Sequence, residues 1–154
     1  MSYVVVSPNV RNDGKIKSHI DFMRRSYVVC VGWDKDSKNG WNFANSIHTG
    51  DCVIVARRAH WQWIVFFAGI VDGPAVYGDE NGEHYTMCRD IRAFVDLRDS
   101  SIIKFREGMT GYAKRNPGSL FQLHKENAAD ANFIMGIDKL LANAAQKLDA
   151  KEIP

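Results

Sequence analysis

The chain has no run of about 18 or more apolar residues, the length a helix needs to cross a bilayer, so no membrane partner is expected. Met1 to Asn12 carries neither the basic start nor the apolar stretch of a secretory signal. Cysteine is scarce: Cys30, Cys52 and Cys88 are the whole complement. An odd number, each inside an apolar run, argues against a disulfide framework and for reduced, buried thiols in a cytoplasmic protein. The glycine fingerprints of dinucleotide and phosphate loops, G-x-G-x-x-G and the Walker pattern, are missing, and so is the G-x-S-x-G elbow. H-E-x-x-H and C-x-x-C are also missing, and His19, His48, His60, His84 and His124 do not pair at ligand spacing. No metal and no cofactor is therefore expected. Asp51, Asp72, Asp90, Asp96 and Asp99 could serve a divalent ion only if they converged, and the E-x-K strand signature of many nucleases is absent. Gly50-Asp51 and Asp72-Gly73 read instead as turns whose side chains cap their own backbone. A non-catalytic protein is the expectation.

What is present is an ordinary globular balance. The 154 residues are 45% hydrophobic and 25% charged, with a formal charge of +2. That length predicts a single domain, residues 1–154, with room for a full core. A charge so small excludes a general polyelectrolyte binder but leaves room for a local basic face.

Strand-forming runs dominate the first two-thirds. Strands are expected at Met1–Ser7, Tyr27–Gly32, Cys52–Ala56 and Trp61–Val71, with Gly69 marking a bulge or a close approach. Another one or two are expected within His84–Asp99. There Ile91, Ala93, Val95 and Leu97 alternate with more polar residues, which predicts one buried face. Lys15–Arg25 has helical spacing through Ile16, Ile20 and Met23. Asp34–Ser46 reads as a polar loop around an Asn39-Gly40 turn. Gly78–Glu83 reads as a further turn, and Ser119–Lys125 as a short helix or strand. A C-terminal helix over 127–148 should start on an Asn127/Asp130 capping pair. Its apolar stripe, Ala131, Ile134, Met135, Leu141, Ala145 and Leu148, should pack across the sheet. Together these elements predict an α+β domain: a small mixed or closed β-barrel flanked by N-terminal and C-terminal helices.

The aromatic residues point to binding. All four tryptophans fall between Trp33 and Trp63. Trp33 closes a strand and Trp41 follows Asn39-Gly40 in polar surroundings. The pair either plugs the end of the barrel or walls a pocket for a flat ring. Trp61 stands at a strand mouth beside Arg57 and Arg58, paired guanidiniums of the kind that suit phosphate. Lys15, Lys17, Arg24, Arg25, Lys114 and Arg115 are further phosphate-binding candidates.

The order Gly32-Trp33-Asp34, Asn39-Gly40-Trp41, Asn45-Ser-Ile47-x-x-Gly50-Asp51-x-Val53-Ile-Val55, then Phe67-Ala-Gly69-Ile-Val71-x-Gly73 resembles the PUA-like superfamily, in particular its EVE and YTH-related branch. The likeness spans Tyr27 to Gly78. It implies a small barrel with flanking helices that flips a modified base of RNA or DNA into an aromatic cage. It makes Trp33 one cage wall, with Trp41 or Trp61 the second, and gives Asn45 and Ser7 polar contacts to the ligand. Arg57-Arg58-Ala59-His60 departs from the aromatic or serine-rich strand end of simpler members. The partners implied are RNA or DNA, with an effector protein as a further one; 154 residues leave no room for a nuclease besides, so the chain reads as a stand-alone reader, a subunit delivered to a partner or a fragment of something larger. The alternatives are a small-molecule or nucleotide-binding domain of the same fold, a protein-interaction module using helix 127–148, and a nucleobase-directed enzyme.

Overall fold

A computed structural model describes residues 1–7, 16–59, 62–78, 85–97, 104–105 and 120–152. Five segments supply most of the sheet: β1 (Tyr3–Val6), β2 (Val28–Val31), β3 (Cys52–Ala59), β4 (Gln62–Val71) and β6 (Met87–Asp96). Three short strands complete it: β5 (Val76–Tyr77), β7 (Lys104–Phe105) and β8 (Leu120–Gln122). The hydrogen-bonded path runs β2-β6-β4-β3-β1-β8, with β5 added to β6 and β7 to β4. Among the described residues only the β1–β3 pairing is parallel. The sheet curls strongly into half a barrel. The expected mixed, barrel-like α+β sheet is thus present, and among the described residues its path ends at β2 and β8 with no pair joining them.

Helices cover both faces. α1 (Ile16–Ser26) and α2 (Lys38–Asn45) cover one, and α3 (Ala128–Glu152) the other. β1 shows why a continuous apolar run is needed here. Tyr3 and Val5 enter the core under α3, whereas Val4 and Val6 enter the core under α1 and α2. A strand buried on both faces has no polar alternation to display.

Two bulges produce the curl. Between β3 and β4, Val55 and Ala56 pair with Phe67 and Val65, which leaves Phe66 as the extra residue. Between β4 and β6, Ala68 pairs with Val95 and Ile70 with Arg92, so Gly69 alone faces Ala93 and Phe94. Ala93 takes a left-handed backbone, φ 52°. A Cβ on Gly69 would lie 2.9 Å from the Ile91 side chain and 3.3 Å from the Arg92 carbonyl. The Gly69 signal is thus both a bulge and a close approach. The one-residue slip also overturns the expected single buried face of β6. Ile91 faces the α1–α2 core, while Val95 and Leu97 face the α3 core.

Two other expectations are corrected. Asp34–Ser46 is not a loop throughout, because α2 occupies its second half. Ser37 caps that helix, its hydroxyl accepting from Gly40 N at 3.1 Å and donating to Asp34 O at 2.6 Å. Asn39-Gly40 is therefore the first turn of a helix. A Cβ at Gly40 would collide with the Asp34 carbonyl, which explains glycine at that position. Cys30 and Cys88 are not two reduced thiols. They face each other directly across β2 and β6, Cα to Cα 4.1 Å, and form a disulfide, leaving Cys52 as the free cysteine. Cysteine usage therefore gives no ground for a reducing compartment.

α3 begins as expected on Asn127, whose Oδ1 accepts from the Ala129 and Asp130 amides at 3.0 and 3.1 Å. Asp130, fully buried, accepts instead from His124 N at 2.8 Å and ties the helix to the end of β8. The buried stripe is Phe133, Ile134, Ile137 and Leu141: Ile134 and Leu141 lie where expected, Ala131 is half-buried, Met135 is exposed, and the side chains of Ala145 and Leu148 are not among those described. Ser119–Lys125 contains β8. Most of the expected Gly78–Glu83 turn lies outside the described residues.

Ala93→Gly should raise the unfolding free energy by about 0.5 kcal/mol, because a left-handed bulge position favours glycine. Gly69→Ala should lower it by about 1–3 kcal/mol through the collision with Ile91. Urea unfolding of the two variants reads both signs.

Candidate functional site

β2 runs out into Gly32 and Trp33 on the α1–α2 face. The start of β6 lies alongside, and the Thr86 hydroxyl donates to the carbonyls of Val31, at 3.2 Å, and Trp33. Trp33 is 7% exposed, and its ring meets Phe43 of α2 at 67°, centroids 6.4 Å apart. Next to Thr86, Tyr85 carries a second aromatic group. Its hydroxyl is 2.6 Å from His19 Nδ1 in α1. The two rings meet edge to face, 5.3 Å apart. Phe22, one turn along α1, stacks nearly parallel on Tyr85, with centroids 5.5 Å apart and planes at 15°. Burial pushes the Tyr85 hydroxyl above its ordinary pKa, so it stays protonated at neutral pH. Phe22 is 39% exposed, whereas His19, Trp33, Phe43 and Tyr85 are buried. The group is thus open to solvent at Phe22 and sealed beneath.

Of the expected pocket residues, Trp33 lies in this region and Ser7 follows β1, half-buried. Trp41 lies elsewhere. It is two residues from Phe43 on a helix, hence on nearly the opposite side, and 56% exposed. Asn45 is exposed on α2, with its Nδ2 donating to the Trp41 carbonyl at 3.0 Å, a bond within the helix. Trp61 lies outside the described residues, as do Lys15, Lys114 and Arg115. Lys17 and Arg58 belong to α1 and β3, but their side chains are not among those described. Arg57 is exposed on β3, far along the chain from the α1 arginines. Arg24 pairs with Asp96 at 2.9 Å and Asp21 at 3.4 Å. Arg25 is exposed, its Nε donating to the Asp21 carbonyl at 3.3 Å.

His19, Phe22 and Tyr85 were not legible as site residues. His19 and Tyr85 are 66 positions apart, and each alone looks like a core residue. The other residue that went unread is Arg89, which holds the site together. It is buried in β6, where its guanidinium donates to the Phe43 carbonyl at 2.9 Å, the Gly73 carbonyl at 3.0 Å and the Ile47 carbonyl. It therefore supplies donors to the C-terminal end of α2, whose carbonyls have no partner within the helix. Burial lowers its pKa, an effect the nearby Asp51 opposes. Asp51 is itself buried, and its carboxylate accepts from His48 N at 2.8 Å and Ser2 N at 2.9 Å. Gly50, φ 98°, makes the tight turn before it. Gly50-Asp51 is a capped turn, as its sequence reads.

Burial pushes the Cys52 thiol up to about 12, so it stays protonated and unreactive at neutral pH. Among the described residues no group of three or more His, Cys, Asp or Glu is placed to hold a metal ion. Likewise no described helix is long and apolar enough to cross a membrane. Comparison with protein-family models, curated proteins and solved structures finds no match to this chain.

Arg89→Met should destabilise the fold by about 2–4 kcal/mol, since it leaves buried carbonyls without donors. Arg89→Lys should recover only part of that, because one ammonium cannot span the three carbonyls. Urea midpoints of the two variants test the order; equal midpoints for Met, Lys and wild type would contradict it.

Proposed function

We propose that this chain is a non-catalytic nucleic-acid-binding module that receives a flipped, modified base of RNA or DNA, in the manner its resemblance to PUA-like EVE and YTH-related domains implies. The observation that carries the reading is the aromatic group at the open end of the α1–α2 face. Phe22 and Tyr85 lie nearly parallel there, with Trp33 and Phe43 in the same core below. Stacking is tolerant of base identity, because every base has a π-face. Specificity needs polar atoms, and the described ones adjoining the rings, on His19 and Tyr85, are buried and bonded to each other.

The energetics are those of binding without turnover. Extruding a base costs a few kcal/mol, least for a damaged or single-stranded one. Stacking on an aromatic side chain returns about 1–3 kcal/mol per base. A methyl or hydroxymethyl group in an apolar niche beside the ring adds preference for the modified strand. Arginines on α1 and β3 supply phosphate contacts. An effector partner would act on the marked strand.

The test is a binding panel of single- and double-stranded RNA and DNA, unmodified and carrying methylated or hydroxymethylated bases, read by fluorescence anisotropy at two salt concentrations. Wild type should prefer one modified strand and weaken as salt rises. Phe22→Ala, a change at the surface, should weaken that binding by roughly 5- to 100-fold with little change in melting temperature. No binding across the panel by folded protein, or equal binding by Phe22→Ala, would overturn the reading.

A further inference from the structure

The end of α1 holds an aromatic residue where the backbone favours glycine. α1 closes at Ser26, and Tyr27 follows with φ 53°. Left-handed residues after a helix are usually glycine, because a Cβ there crowds the backbone. Tyr27 gains little burial in exchange, since it is 57% exposed. Its carbonyl accepts from Ile91 N at 2.9 Å, a bond any residue could make. What only an aromatic contributes is the ring. That ring meets the ring of Phe94 of β6 at right angles, centroids 5.8 Å apart and planes at 88°. Phe94 is half-buried and braced on Phe67, 5.2 Å away. The two rings form a right-angled corner at the surface, and the Arg24–Asp96 ion pair holds the end of α1 against β6 beside it.

We propose that Tyr27 and Phe94 form a second base-stacking site, for a nucleotide neighbouring the flipped one, with the Arg25 guanidinium on its phosphate. This inference rests on the nucleic-acid reading above. The corner offers the face of Tyr27 for stacking and the Phe94 ring as a wall at the base edge. The charge nearby is mixed, with Asp90 exposed opposite Val28, so a phosphate would depend on Arg25. Asp21 and Asp96 largely neutralise Arg24, and Asp72 lies 3.6 Å from Arg92, whereas Arg25 commits only Nε in its described bond. Its two Nη groups remain for a phosphate oxygen, which a guanidinium binds in bidentate fashion. The site also accounts for the left-handed tyrosine: the chain keeps a ring at a glycine position because the ring is used.

The experiment takes the member of the oligonucleotide panel that wild type binds most tightly and compares Tyr27→Gly, Tyr27→Phe and Arg25→Gln by anisotropy and by thermal melting. Tyr27→Gly should melt higher than wild type and bind roughly 5- to 100-fold more weakly. Tyr27→Phe should bind as wild type does. Arg25→Gln should reduce the slope of log affinity against log salt by about one. If Tyr27→Gly binds like wild type, this inference falls while the primary site stands. If Tyr27→Gly melts lower, the ring is a packing element and the inference also falls. If wild type binds no oligonucleotide, both readings fall together.

Discussion

The single glycine at position 69 sets the geometry on which the rest depends. Because Gly69 faces two residues of β6, that strand slips by one and its side chains change sides. Ile91 then serves one core and Val95 the other. The same slip turns Phe94 toward Phe67 and the end of α1, where Tyr27 meets it. A flat β4–β6 pairing would keep alternate residues on one face, and the surface corner would not form. Its opposite number, Ala93, bears a left-handed backbone without being glycine, so the bulge is held by the packing around it.

Buried polar groups then lock loops onto this frame. Arg89 joins β6, the end of α2 and the turn after β4 through three carbonyls. Asp51 joins the turn before β3 to the start of β1, and Asp130 joins α3 to the end of β8. Each is a charged side chain in the core whose hydrogen-bonding capacity is spent on backbone groups that would otherwise be unsatisfied. Among the described residues, buried charge organises connections.

Much of this was legible because local rules suffice for it. β1, β3, β4, the first helix and the Gly50-Asp51 turn follow from apolar runs, helical spacing and turn chemistry. α2 was hidden because its eight residues are mostly polar and include Asn39-Gly40, while its capping serine lacks the acidic partner that marks a helix start. The stripe of α3 was read in part: Ile134 and Leu141 were placed rightly, but Phe133 and Ile137 were passed over in favour of Met135, a choice that depends on which face the sheet presents. The Cys30–Cys88 link and the His19–Tyr85 pair are long-range contacts, 58 and 66 positions apart, set by strand register and helix docking rather than by local pattern. Of the tryptophans, Trp33 lies beside the aromatic group, whereas Trp41 is turned away on a helix that was read as a loop.

The central claim is that a base lodges against Phe22 and Tyr85 rather than elsewhere on the surface. Exposed aromatics at Trp41 and Tyr77 offer a competing location. Photocrosslinking with an oligonucleotide carrying a thiolated base, followed by mass spectrometric mapping, separates the two. The account predicts adducts on Phe22 or Tyr85 and their neighbours in α1 and at the start of β6. Adducts confined to Trp41 or Tyr77 would contradict it and move the binding surface to α2 and β5.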